Sequence, residues 1–166
     1  MNTGEKEARR IAPELPPLGE GIEFMRSIWA LDHSLQRASK RMTASHGITG
    51  PQRLVLRIVG RFPGILPGQL ADILHIHPST VTGIVDRLAR RGLVSRESDT
   101  RDRRRSRLGL TSRGRQLDVT SSGTIEAAVI ETFRSLPAGK VRVTEEVLGL
   151  LTKALDQVGS PAERSP

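Results

Sequence analysis

Two prolines eleven positions apart, Pro67 and Pro78, constrain this chain more tightly than any other feature. Proline fixes φ and lacks an N–H, so it suits the first turn of a helix and breaks a helix interior. Each proline opens a short helical pattern. Leu70, Ala71 and Leu74 follow Pro67; Val81, Ile84, Val85 and Leu88 follow Pro78 at three- and four-residue steps. His75-Ile76-His77 leaves room only for a turn between them. Gly92 then offers a helix C-cap, and residues 93–97 and 107–111 read as two short strands. The loop between those strands, SDTRDRRRS at 98–106, carries four Arg and two Asp. Short helix, tight turn, second helix and a hairpin with a basic tip make a winged helix-turn-helix.

The flanks read as helices. Ile22, Met25, Ile28, Trp29, Leu35, Ala38 and Met42 recur at helical spacing over 20–45, and Gly47 ends the run. Thr49 and Gln52 form a capping-box pair for the next helix, whose apolar face is Leu54, Val55, Ile58 and Val59. Gly60 to Gly64 stop it. A long helix is predicted from about 111 to 136, weakest and open to a kink at Ser121-Ser122-Gly123, and ended by Pro137. The last helix, roughly 140–158, carries Val147, Leu148, Leu151, Ala154, Leu155 and Val158 as a heptad-like seam. Residues 1–19 and 159–166 read as a flexible arm and a tail. The fold class is thus mostly α with a small β-hairpin wing. A winged-helix core at about 49–111 lies within one domain, 20–158, and the helices at about 20–45 and 112–158 are assigned to dimerisation. Only Phe24, Phe62, Phe133 and Trp29 are aromatic, so the core must be aliphatic.

Charge points to the partner. The net charge of +8 is concentrated in residues 87–115, which hold eleven Arg against three acids. The other fifteen bases and fifteen acids balance. A neutral body with one basic segment is the footprint of a polyanion-binding surface, and arginine's planar fork suits phosphates and base edges. On the second helix the outward residues Ser79, Thr80, Thr82 and Gly83 are small and let the backbone approach bases in a major groove. Arg87 and Arg90 lie further along, within reach of phosphates. In the loop, Asp102 is expected to orient a neighbouring Arg by a charge-assisted bond, with Arg104 entering the minor groove. Arg101, Arg103 and Arg105 are expected on phosphates. The terminal seam needs a partner face, and a dyad-related pair would set two recognition helices roughly 34 Å apart.

The stretch from Leu70 to Arg115 resembles the multiple antibiotic resistance regulator (MarR) family. The residues that carry the likeness are Leu70-Ala71, Ser79-Thr80-Val81-Thr82, Val85-Asp86-Arg87-Leu88, Gly92-Leu93-Val94, Arg96, Asp102-Arg103-Arg104, and Leu110-Thr111 with Gly114. The resemblance is dense over 50–117. It implies a triangular homodimer joined through the first and last two helices. It further implies a transcriptional regulator, usually a repressor, that binds pseudo-palindromic double-stranded DNA and releases it when a small molecule binds. Two positions depart from the pattern. Gly83 stands where a larger, often basic, side chain is common, which shifts weight to shape readout. Leu66 stands where a capping Ser or Thr is usual, so that helix start is expected to be less firmly fixed.

Met25, Trp29 and His33, with Phe24, are candidates to line an effector pocket near the dimer interface, and equally read as packing residues. Arg53, with Arg37 and Arg41, is a candidate anchor for an anionic effector, so the expected effector class is aromatic or anionic. His75 and His77 form an H-x-H pair with only Asp72 nearby, too few ligands for a metal site; His77 is expected to cap the recognition helix or touch a phosphate. No cofactor is expected. The absence of Cys excludes thiolate metal sites and thiol redox sensing, and fits a cytoplasmic protein. No apolar leader follows the polar N-terminus, and no apolar run suffices for a membrane span. No catalytic motif is present, so an enzyme is not expected. An alternative function from another class is an architectural nucleic-acid-binding protein without an effector.

Overall fold

The computed structural model describes residues 18–98, 106–119 and 122–158. The chain divides into two compact units, residues 1–37 and 38–166. Helix α1, Glu20–His46, runs through the boundary. In the first unit its opening turn carries Glu20 and Glu23, acids placed where the helix dipole favours them. Its surface is laced by Arg26–Glu23 at 3.1 Å and by a Gln36 to Asp32 hydrogen bond of 2.7 Å. Its larger apolar residues, among them Phe24, Met25, Trp29 and Leu35, are exposed.

The second unit is built around α2 (Gly50–Arg61), α3 (Pro67–Leu74), α4 (Pro78–Arg90) and the hairpin β1 (Val94–Ser98) with β2 (Ser106–Leu110). The capping box forms as the sequence predicts: Thr49 Oγ1 accepts from the Gln52 N–H, and Gln52 Oε1 accepts from the Thr49 N–H at 3.1 Å. At α3, Leu66 has no side-chain acceptor, but Gln69 Oε1 takes the Leu66 N–H at 3.0 Å. Half a box therefore fixes a start that looked poorly capped. His75 ends α3 with φ +51, a left-handed turn that swings the chain into α4.

The core is aliphatic, as the scarcity of aromatics requires. Val55, Leu56 and Val59 of α2 meet Leu70 and Ala71 of α3 and Val81, Ile84, Val85 and Leu88 of α4, with Leu93, Val94 and Leu108 from the hairpin. Each fully buried side chain of this size contributes about 1.5–3 kcal/mol. The strands pair antiparallel, Val94 with Leu110 through Ser98 with Ser106. Ile65 adds a bridge to Leu108, so the segment after α2 is hydrogen-bonded to the hairpin's second strand.

One expectation is corrected. The helix predicted from about 111 to 136 is two helices, α5 (Ser112–Leu117) and α6 (Ile125–Arg134). Gly123 adopts φ +78, incompatible with a continuing helix, and Thr124 restarts the chain as N-cap by accepting from the Ala127 N–H. α5 is pressed hard onto the hairpin: a Cβ on Gly114 would stand 2.0 Å from the Leu93 carbonyl oxygen, so only glycine fits there. Helix α7, Ala138–Asp156, is the last described element, and neither α6 nor α7 contains a buried residue.

Candidate nucleic-acid interface

The apolar stripe of α4 fixes which of its faces is free. With Val81, Ile84, Val85 and Leu88 sealed in the core, Ser79, Thr80, Thr82, Arg87 and Arg90 are exposed and Gly83 is half-buried. The helix start is set by His77. Its Nδ1 accepts from the Ser79 N–H at 3.3 Å and lies 2.8 Å from Ser79 Oγ, so the imidazole serves as N-cap. This agrees with the first of the two roles the sequence left open for His77. Thr82 Oγ1 donates to the Pro78 carbonyl at 3.0 Å, which fixes its rotamer. Gly83 also has a local consequence: Arg87 Nη2 lies 3.8 Å from where a Cβ would stand. The missing side chain leaves space over which the Arg87 guanidinium lies, so a cation covers this position of the helix although residue 83 supplies none.

Six of the seven described arginines of the basic segment divide into two kinds. Arg96 pairs with Asp86 and so ties β1 to α4. Arg91 donates to the Gly47 carbonyl, Arg113 to the Arg91 carbonyl at 3.3 Å, and Arg115 to the Leu110 carbonyl at 2.7 Å. These four brace the fold. Arg87 and Arg90 face outward, Arg90 also reaching its own helix at the Asp86 carbonyl at 3.4 Å. Charge counting from sequence does not separate bracing arginines from outward ones, because each acceptor here is a backbone carbonyl or a side chain at least ten residues away. The Asp102 arrangement, with Arg101, Arg103, Arg104 and Arg105, lies outside the described residues.

Of the residues assigned to an effector, Met25, Trp29 and His33 are exposed on α1. Arg53 is only 3% exposed, and its guanidinium is committed to Glu126 and to the Leu117 and Val119 carbonyls. That network was not read from the sequence; the visible signal was Arg53 and Arg57 one turn apart on a helix with an apolar face. Two clefts open elsewhere. One of about 430 Å³ lies under the hairpin, lined by Val59, Gly60, Ser95, Arg107, Leu110 and Asp118. One of about 520 Å³ lies beside α4, lined by Pro67, Gln69, Asp72, Thr82, Arg96 and Ser106. Among the described residues no three His, Cys, Asp or Glu side chains gather as metal ligands, and no helix is long and apolar enough to cross a membrane.

Residues 46–105 match the family model described as MarR family, which covers the capping box, both helices of the turn, and the hairpin's first strand and loop. The chain is 32% identical over 91 residues to the HTH-type transcriptional regulator TtmR of Methylorubrum extorquens (strain PA1), spanning 55% of this chain and 47% of TtmR. It is 31% identical over 88 residues to the HTH-type transcriptional repressor MdtR of Bacillus subtilis (strain 168), spanning 53% of this chain and 57% of MdtR. The chain thus spans about half the length of these curated relatives. Among solved structures it is similar to the PcaV transcriptional regulator from Streptomyces coelicolor in complex with its natural ligand. There the TM-score is 0.68 at 23% identity, over 85% of this chain and 99% of that one. It is also similar to MepR from S. aureus in its DNA complex, with TM-score 0.63 at 21% identity over 81% and 97% of the two chains. At these identities the structural likeness establishes the shared winged-helix fold.

Proposed function

We propose that this protein, whose winged-helix segment is of the MarR family, is a homodimeric regulator of transcription that binds specific sites on double-stranded DNA. The observation that carries this reading is α4: one face sealed in the core, the other presenting Ser79, Thr80, Thr82 and Arg87 beside the segment that holds the whole net charge. Ser79, Thr80, Thr82 and Gly83 approach base edges in the major groove, while Arg87 and Arg90 take phosphates. Asp102 orients Arg104 into the minor groove, with Arg101, Arg103 and Arg105 on the backbone. Action as a repressor, and release from the operator by a small aromatic or anionic effector, complete the reading. It is supported by the naming of MdtR as a repressor and by the crystallisation of PcaV with a ligand. The site of action is the cytoplasm, and no catalytic role is proposed.

The wing assignment is tested by Arg104→Ala. If about eight phosphates are contacted per dimer, log K falls with log[salt] at a slope of about −7. The variant, which removes one cation per protomer, is expected to bind more weakly and to flatten the slope by about 2. Unchanged affinity and slope would remove Arg104 from the interface.

A further inference from the structure

We propose that Arg53 and Glu126 are positioning residues that set the direction of α6 from the winged-helix body and thereby the spacing of the two recognition helices in the dimer. The inference rests on the regulator reading above. Arg53 stands on α2, whose apolar residues Val55, Leu56 and Val59 lie in the same core as the stripe of α4. Its Nε donates to Glu126 Oε1 at 2.6 Å, Nη1 to the Leu117 carbonyl, and Nη2 to the Val119 carbonyl at 2.9 Å. One turn later, Arg57 Nη1 reaches both the Asp118 carbonyl and Asp118 Oδ1, the latter at 3.0 Å. The carbonyls of 117–119 end α5, where the helix dipole is negative and favours cations; Glu126 lies in the first turn of α6, where a carboxylate is favoured. Two arginines of one helix therefore hold the exit of α5 and the entry of α6 together.

Contact at the start of α2 narrows the joint further. A Cβ on Gly50 would stand 2.8 Å from Ile125 Cδ1, so the Ile125 side chain at the opening of α6 packs against the α2 backbone at a position where only glycine leaves room. Beyond this joint, apolar packing does not fix α6, because none of its residues is buried. Its direction is therefore set by hydrogen bonds and charge. α4 packs on α2 in one core, so fixing the angle between α6 and α2 also fixes the angle between α6 and the recognition helix. If α6 and α7 join two copies, this joint decides whether both recognition helices meet grooves one DNA turn apart, roughly 34 Å.

The test uses the full-length dimer and duplexes built on the site that the wild-type protein selects from a random-sequence pool. One set keeps the selected spacing, one has one or two base pairs added or removed at its centre, and one carries a single half-site. Glu126→Gln keeps the shape and an acceptor but removes the charge. It is expected to bind the selected site about tenfold more weakly, the effect of losing one charge-assisted hydrogen bond. Its binding to respaced duplexes and to the half-site should stay near wild type, so the spacing preference flattens. A side chain that only stabilised the fold would weaken all three together, and that result, or a fully retained spacing preference, overturns the inference. Should Glu126→Gln fail to fold, Arg57→Gln, at a 37% exposed side chain, must show the same flattening to a lesser degree. A wild-type protein that selects no site would instead sink the regulator reading itself, and this inference with it.

Discussion

Replacing Arg53 by Met is expected to lower the free energy of unfolding by about 3 kcal/mol, the low end of what breaking a buried charge pair costs. The low end applies because Glu126 keeps 22% of its side chain exposed and water can still reach it, whereas Arg53 keeps 3%. The variant also strips the Leu117 and Val119 carbonyls of their donor. Urea unfolding at fixed protein concentration measures the change, since self-association makes apparent stability depend on concentration. A loss below about 1 kcal/mol would mean that water or a neighbouring donor takes over these groups. The same pair gives a pH signature. Burial, the largest single influence on Glu126, pushes its carboxyl up; hydrogen bonds from Arg53, from its own backbone and from Thr124, together with the Arg53 charge, outweigh burial. The net result holds Glu126 below its ordinary 4.5. A depressed carboxylate contributes stability that is fully present above its unfolded value and is lost as pH falls through the folded one. Wild type should therefore lose more stability than Glu126→Gln as pH falls below about 4.5.

Paired substitutions Leu148→Glu and Leu155→Glu on α7 are expected to yield a folded monomer whose affinity for the selected site drops by about 10²–10⁴, the advantage of engaging two half-sites from one particle. Leu148 is 46% and Leu155 61% exposed in the single chain, so the substitutions disturb no core packing within it. They place charge on the seam that also leaves Val147 exposed in the single chain. Sedimentation measures the assembly state, and circular dichroism checks that helix content survives. A dimer that persists with undiminished binding would move the interface off this helix. Aggregation with lost helix would show that α7 has partners within its own chain.

The winged-helix body was legible because its signals are local. Pro67 and Pro78 sit at the starts of α3 and α4, Thr49 and Gln52 close the capping box, and Gly92 ends α4's turn with φ +65. The α4 stripe of Val81, Ile84, Val85 and Leu88 is buried as its spacing requires. The seam of α7 was legible as apolar periodicity, and its exposure in the single chain is what a partner face needs. The break between α5 and α6 was signalled by Ser121-Ser122-Gly123, but propensity alone does not distinguish a kink from a restart. The left-handed Gly123 and the Thr124 cap decide it. What sequence could not assign was the destination of each cation. Arg53 reads from sequence as a candidate anion anchor; its acceptors, Leu117, Val119 and Glu126, are 64 to 73 residues away along the chain. Arg91, Arg96, Arg113 and Arg115 belong to the same class, counted as charge yet acting as braces.

Binding of the purified protein to its own upstream DNA against scrambled DNA, at ~150 mM salt, tests whether α4 and the arginine-rich loop select particular DNA sites. Specific regulators exceed their non-specific binding by about 10³ or more, and a preference of that order is the expected result. Equal, steeply salt-dependent binding to both duplexes would contradict site selection and point to an architectural role. Failure to bind either would remove DNA as the partner of α4.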